Sequence, residues 1–147
     1  MTSTKGTDLS LQVERVISAS PERAYRAWTD PQRMKSWFAP SEEMAVEAEV
    51  DLRVGGKYRV SMGPYVVHGV YQEVAPARRL VFSWQWRGET PSNDMLVTVE
   101  FLEHPTGTRV LITHDRLADE DSREQHTNGW TAMLSRLESL SKTNELD

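Results

Sequence analysis

The side chains able to bind or convert a ligand are few in this 147-residue chain. Its four histidines stand at 68, 104, 114 and 126, and it has no cysteine. No HExxH or HxxxH spacing links these histidines and no CxxC exists, so no metal site is expected. Disulfides, thiolate nucleophiles and iron–sulfur ligation are excluded together. Gly55-Gly56 has neither GxGxxG nor P-loop spacing and joins two strand-like stretches, so nothing calls for a nucleotide or any other cofactor. Glu47 and Glu49 alternate with apolar neighbours and should face water, while Asp119, Glu120 and Asp121 suit a helix start. Paired-carboxylate catalysis therefore lacks support, and no residue is assigned a catalytic role.

His114 and His68 are the most informative of the polar residues. By strand parity His114 shares a face with Val110 and Ile112 and should point inward; His68 sits with Val66 and Val70 on a similar parity. Two neutral imidazoles facing a cavity orient a polar group or shuttle a proton. The plainer role is a hydrogen-bonded structural histidine near a cavity mouth. Arg15 shares the parity of Val13 and Ile17, and its stem is expected to snorkel to the sheet edge rather than to anchor a ligand.

Five tryptophans are the unusual count, because indoles are costly to leave unpacked. Trp84 and Trp86 fall on one parity of one strand and are bulky for simple packing, which makes them pocket candidates. Tyr58, Met62, Phe82, Val97, Val99, Ile112, Met133 and Leu134 complete the expected wall, with His68 and His114 as polar contacts. Trp37 and Phe38 are expected at a mobile lid or rim. Trp130 should anchor its helix, and Gly129 beside it should let helix and sheet approach closely.

The elements that must position these residues follow from periodicity. Leu9–Ala19 reads as a strand. Ser20-Pro21-Glu22 and Asp30-Pro31 are helix starts, giving short helices to about Trp28 and from Pro31 to Trp37. Six strands follow: Met44–Leu52, Tyr58–Met62, Tyr65–Val74, Arg79–Trp86, Met95–Leu102 and Arg109–His114. Loops are expected at Gly88–Asn93 and His104–Thr108. A long helix covers Asp119–Ser141, with Asp121 and Glu124 as a capping-box-like pair and Trp130, Met133, Leu134, Leu137 and Leu140 as one apolar stripe. This order gives an α+β domain in which an antiparallel sheet of about seven strands buries one face on the last helix. The domain is expected over residues 8–141, with polar tails at 1–7 and 142–147.

Five segments carry a family resemblance: SASPERAYRAWTDPQRMKSWF (18–38), VDLRVGGKYRVSM (50–62), HGVYQEVAPARRLVFSWQW (68–86), GTRVLITH (107–114) and NGWTAMLSRLESL (128–140). In this order they resemble the START-like helix-grip superfamily, also called SRPBCC. The branch they are most similar to is the domain family named after the activator of Hsp90 ATPase. The resemblance implies a curved sheet gripping the last helix around a cavity. It does not imply one activity, since the superfamily includes lipid and hormone binders, cyclases, lyases and co-chaperone domains.

Three functions follow as expectations. The first is binding of an apolar, aromatic or acyl small molecule in the cavity. The second is a chaperone-associated module acting on an Hsp90-type partner, which rests on the resemblance alone; the co-chaperone form adds an N-terminal domain for which this chain has no room. The third is a cavity enzyme of cyclase or lyase type with His114 as acid–base, which lacks a second converging polar group, so the reading leans away from an enzyme. A net charge of −5 argues against nucleic-acid binding. The polar start and the lack of an apolar run of ~18 residues point to a cytoplasmic protein without a membrane span. A homodimer through tryptophans on the lid is left open.

Overall fold

The computed structural model describes residues 9–88 and 95–143. The element order is β1 (Leu9–Ile17), α1 (Pro21–Thr29), α2 (Pro31–Met34), β2 (Val46–Val50), β3 (Lys57–Met62), β4 (Tyr65–Ala75), β5 (Arg79–Trp86), β6 (Met95–His104), β7 (Gly107–Leu117) and α3 (Glu120–Lys142). The strands form one seven-stranded sheet in the order β1-β7-β6-β5-β4-β3-β2, and every pairing is antiparallel. Strands β2 to β7 are a meander. The excursion through α1 and α2 carries the chain from one edge strand to the other. The result is the expected α+β helix-grip: a curved sheet whose inner face closes on α3. The expected loop at Gly88–Asn93 lies, beyond Gly88, outside the described residues, as do the tail residues 1–7 and 144–147 and the expected domain start at residue 8.

Local chemistry sets the helix bounds. Ser20 caps α1 by accepting from the Arg23 N–H at 3.2 Å, with Pro21 in the first turn. Asp30 ends α1 and caps α2, accepting from the Gln32 N–H at 2.9 Å. Helix α2 stops at Met34, earlier than Trp37, because residues 35–39 tighten into turns that the rest of the fold holds. The Trp37 indole N–H donates to the Ala27 carbonyl at 2.9 Å. The Arg136 guanidinium of α3 donates to the Ala39 and Ser36 carbonyls at 2.6 and 3.0 Å. Trp37 and Phe38 are buried at 0% and 2% exposure, so the expected mobile lid is a pinned part of the core.

Helix α3 is capped by Asp119, whose carboxylate accepts from the Ser122 N–H at 2.8 Å; this replaces the expected Asp121–Glu124 pair. Its stripe of Trp130, Met133, Leu134 and Leu137 is buried against the sheet. Arg15 of β1 meets Glu138 of α3 in an ion pair, so its head closes a strand–helix contact. That contact, with Lys142 as a second partner, holds the Glu138 carboxyl below its usual range.

Strand β4 departs from the expected parity. Val67 and Tyr71 are buried, while His68 and Val70 are exposed, so the inward row is Val67-Gly69-Tyr71. Both parities between Tyr65 and Tyr71 are largely apolar, which misleads a reading by alternation. Gly69 shows why this row faces in. A Cβ there would lie 2.0 Å from the Ser83 carbonyl oxygen and 2.7 Å from the Tyr58 ring. The space is taken by Tyr58, whose hydroxyl crosses Gly69 to donate to the Ser83 carbonyl at 2.6 Å. Val70 N–H bonds the Ser83 hydroxyl at 2.9 Å instead of a strand carbonyl. The β4–β5 ladder thus skips from His68–Gln85 to Tyr71–Phe82. A side chain for Gly69 must push backbone, so Gly69→Ala is expected to cost about 3 kcal/mol, read as a lower urea midpoint at unchanged slope. Tyr58→Phe, which removes only the crossing hydroxyl, should cost about 1 kcal/mol in the same experiment.

Candidate functional site

The interior of the grip is filled by rings. Trp28 stacks on Trp130 with centroids 5.8 Å apart, and Trp37, Phe38, Phe101 and Trp84 close around this pair. Tyr58, Tyr71 and Phe82 form a second aromatic group beside it. The enclosed void expected between sheet and helix is therefore occupied by protein. An open cleft of about 750 Å³ lies beyond Trp84 and Trp130, between the first half of α3 and the β3–β5 end of the sheet.

This cleft has two unlike walls. Met62, Trp84, Trp86, Met133, Met44 and the exposed Tyr65 make an apolar side with Pro40, Pro64 and Val66. Trp84 and Trp86 stand almost at right angles, at 88° with centroids 5.6 Å apart, and form an indole corner. Ser122, Gln125 and His126 of α3 supply the polar side, with Asp119 and Asp121 at the helix start and Arg87 on the sheet. The arrangement suits a molecule with a flat apolar body and a hydrogen-bonding end.

Two tryptophan–histidine bonds tie sheet to helix at the cleft floor. The Trp130 indole N–H donates to His114 Nδ1 at 3.0 Å, both groups buried. An indole N–H can only donate, so His114 is neutral, with its proton on Nε2 beside the Met95 sulfur at 3.4 Å. Trp86 donates in the same way to His126 Nε2 at 3.0 Å, which leaves His126 Nδ1–H to donate to the Ser122 carbonyl at 2.8 Å. The two imidazoles lie 4.7 Å apart. Burial, and then the neighbouring His126, push the His114 pKa well below 6.5.

The expected pocket wall divides three ways. Met62, Trp84, Trp86, Trp130 and Met133 line the cleft. Trp37, Phe38, Tyr58, Phe82, Val97, Val99, Ile112 and Leu134 are core residues, because the aromatic filling stops the cleft above them. His114 also lies beneath the cleft with no exposed surface, and one ring nitrogen is committed to Trp130. Its role as a cavity acid–base is thereby corrected: it has no path to a bound molecule. His68 is corrected further, since it sits on the outer face in a separate hollow of about 550 Å³ with Lys57, Arg59 and Gln85.

His126 was missed by strand parity, although a signal existed. Extending the Trp130–Met133 stripe back by three and four residues meets His126, Gln125 and Ser122 on one face of α3. Pro40 and Pro64 come from turns, where periodicity says nothing; Met44 precedes β2, which starts at Val46 rather than at Met44 as expected, and Tyr65 is the first residue of β4. Among the described residues no group of three or more His, Cys, Asp or Glu could hold a metal ion. No helix among them is long and apolar enough to cross a membrane.

The neutral His114 gives a pH dependence of known sign. The unfolded chain takes up a proton near pH 6.5, whereas the folded chain resists it, so stability is complete above that pH and is lost as pH falls below it. Between pH ~7.5 and ~5.5 this one group should remove on the order of 1 kcal/mol of unfolding free energy. His114→Gln, whose amide oxygen can still accept from Trp130, should flatten the dependence over that interval, measured by urea unfolding at each pH.

Comparison with known proteins agrees with this architecture. The sequence profile of the family described as Activator of Hsp90 ATPase homolog 1-like protein matches residues 18–142. A crystal structure of a protein from Chromobacterium violaceum is similar at 29% identity, with a TM-score of 0.80, over 90% of this chain and 96% of that one. The crystal structure of an HSP90 activator from Plasmodium falciparum is similar at 26% identity, with a TM-score of 0.74, over 90% of this chain and 95% of the other. An NMR structure of an Aeromonas hydrophila protein of the same family type has the same fold at 24% identity and a TM-score of 0.78, over 95% and 96% of the two chains. No curated protein matches by sequence. With its profile matched from α1 through strands β2 to β7 and α3, the chain belongs to the Activator of Hsp90 ATPase homolog 1-like family.

Proposed function

We propose that the chain is a small-molecule binding protein, and that its ligand is amphipathic with a flat apolar body. The observation that carries this reading is the two-walled cleft of about 750 Å³, which is within the ~300–1,000 Å³ common for ligand sites. In this reading the Trp84–Trp86 corner stacks the ligand's body, and Ser122, Gln125 and His126 receive its polar end. His126 is well suited to that role, because its Nε2 is already an acceptor at the cleft surface and a ligand donor can take the place of Trp86.

Family membership favours a second reading, in which the chain acts on an Hsp90-type chaperone through its outer surface. The similarity to an HSP90 activator supports it. The two readings make opposite demands, since the second needs no guest in the cleft. Adding the full chain to the chaperone from the same organism and following ATP hydrolysis decides it; an unchanged rate removes it.

The binding reading is tested by titrating aromatic and acyl probes while following tryptophan emission and thermal unfolding. Probes that fit should shift emission and raise the Tm. Trp86→Ala removes one side of the indole corner from a half-buried position and should weaken such probes by roughly tenfold or more, and because it also breaks the bond to His126 its own Tm is measured without probe and compared with wild type. A broad probe panel that leaves both emission and Tm unchanged would overturn the reading.

A further inference from the structure

Gly129 stands in the middle of α3 and lines the cleft. Glycine is a poor residue for a helix interior, so its presence asks for a reason. The six other described glycines each supply one: a positive φ, or a backbone oxygen within 2.0 Å of where a Cβ would sit. Gly129 has neither. Its φ is not positive, and a Cβ built there meets no heavy atom within 4 Å. The expected close approach of helix and sheet at this point does not occur; Trp130 beside it makes that contact. What Gly129 does is leave the helix backbone bare on the cleft side, one turn after His126 and one turn before Met133.

We propose that Gly129 is the residue that sets ligand size in the cleft, and that the ligand carries a planar ring system that lies across the bared turn of α3. The inference rests on the binding reading above. Its further content is where the ligand's widest part goes and what excludes competitors. Half-buried Trp86, set at 88° to the buried Trp84, borders the same space and supplies an indole for such a ring to pack on. The polar group of such a ring faces the turn carrying Ser122, Gln125 and His126, and any apolar substituent runs toward Met133 and Met44. A methyl group at 129 would meet no protein atom, and longer side chains would extend from it into the ring's place, so substitution there should narrow the specificity of the cleft before it damages the fold.

The test is a series of Gly129→Ala, Gly129→Leu and Gly129→Phe, probed with 8-anilinonaphthalene-1-sulfonate as a planar fused-ring ligand. Two readouts are taken, the probe's dissociation constant and the Tm without probe. Gly129→Ala should raise the Tm by roughly 2–4 °C, since it improves helix propensity and meets no atom. Binding should weaken in the order Ala, Leu, Phe, reaching about tenfold or more for the largest side chains. A lower Tm for Gly129→Ala would show a packing role and overturn the inference. Unchanged probe affinity across the series, with the wild type binding well, would overturn it while leaving the binding reading intact. No binding of the probe by the wild type, with no effect of other ring-bearing probes, would overturn both.

Discussion

The structure depends on one buried contact, the indole of Trp130 bonded to the imidazole of His114. It joins helix to sheet at a point from which water is excluded, and it leaves no polar atom of the Trp130 indole unpaired. Around this bond Trp28, Phe38 and Trp84 pack against the same indole, so α1, the segment after α2, β5 and α3 all meet on one side chain. A buried donor and acceptor of this kind are expensive to separate, because either partner left alone forfeits its desolvation cost. That makes the position of α3 over the sheet well defined. The cleft is its consequence: the grip is solid up to Trp130 and open beyond it.

A second, partly exposed copy of the same bond, Trp86 to His126, lies across that opening. The pair in the core and the pair at the surface have the same chemistry and different freedom. The first is locked by packing. The second borders the cleft, where a bound molecule can compete for either partner. The family relation places this arrangement on a fold that serves several activities, so what the chain does is argued from these side chains and not from the fold.

Much of the fold was legible because alternation and helix-start chemistry are strong local signals. The strand Arg79–Trp86 and the caps at Ser20 and Asp30 need nothing beyond their neighbours to be specified. Strand β4 was not legible in its facing. Val66 and Val67 are both buried, and the residue that decides the parity is Gly69, whose lack of a side chain carries no hydrophobic signal. Trp37 and Phe38 could not be assigned from their own segment, since what pins that segment is Arg136, about a hundred residues later. The candidate site was half legible. Its indoles announce themselves by size, whereas its polar wall sits on the first turns of α3, where acid, serine and glutamine are equally explained by capping and solvation. The volume beside Gly129 is a property of three elements at once and has no local signature.

The central claim is that the protein interior is closed at the level of Trp130 and receives a guest only beyond it. The five indole N–H groups report on this directly, since they are distributed from the deep core to the cleft wall. Their resonances, followed by ¹⁵N-resolved NMR during titration with a planar aromatic probe, should respond by depth. The Trp86 signal should move most as its bond to His126 is disturbed, while those of Trp28 and Trp37 should stay in place. Equal displacement of all five, or movement of Trp37 with Trp86 unmoved, would contradict this account.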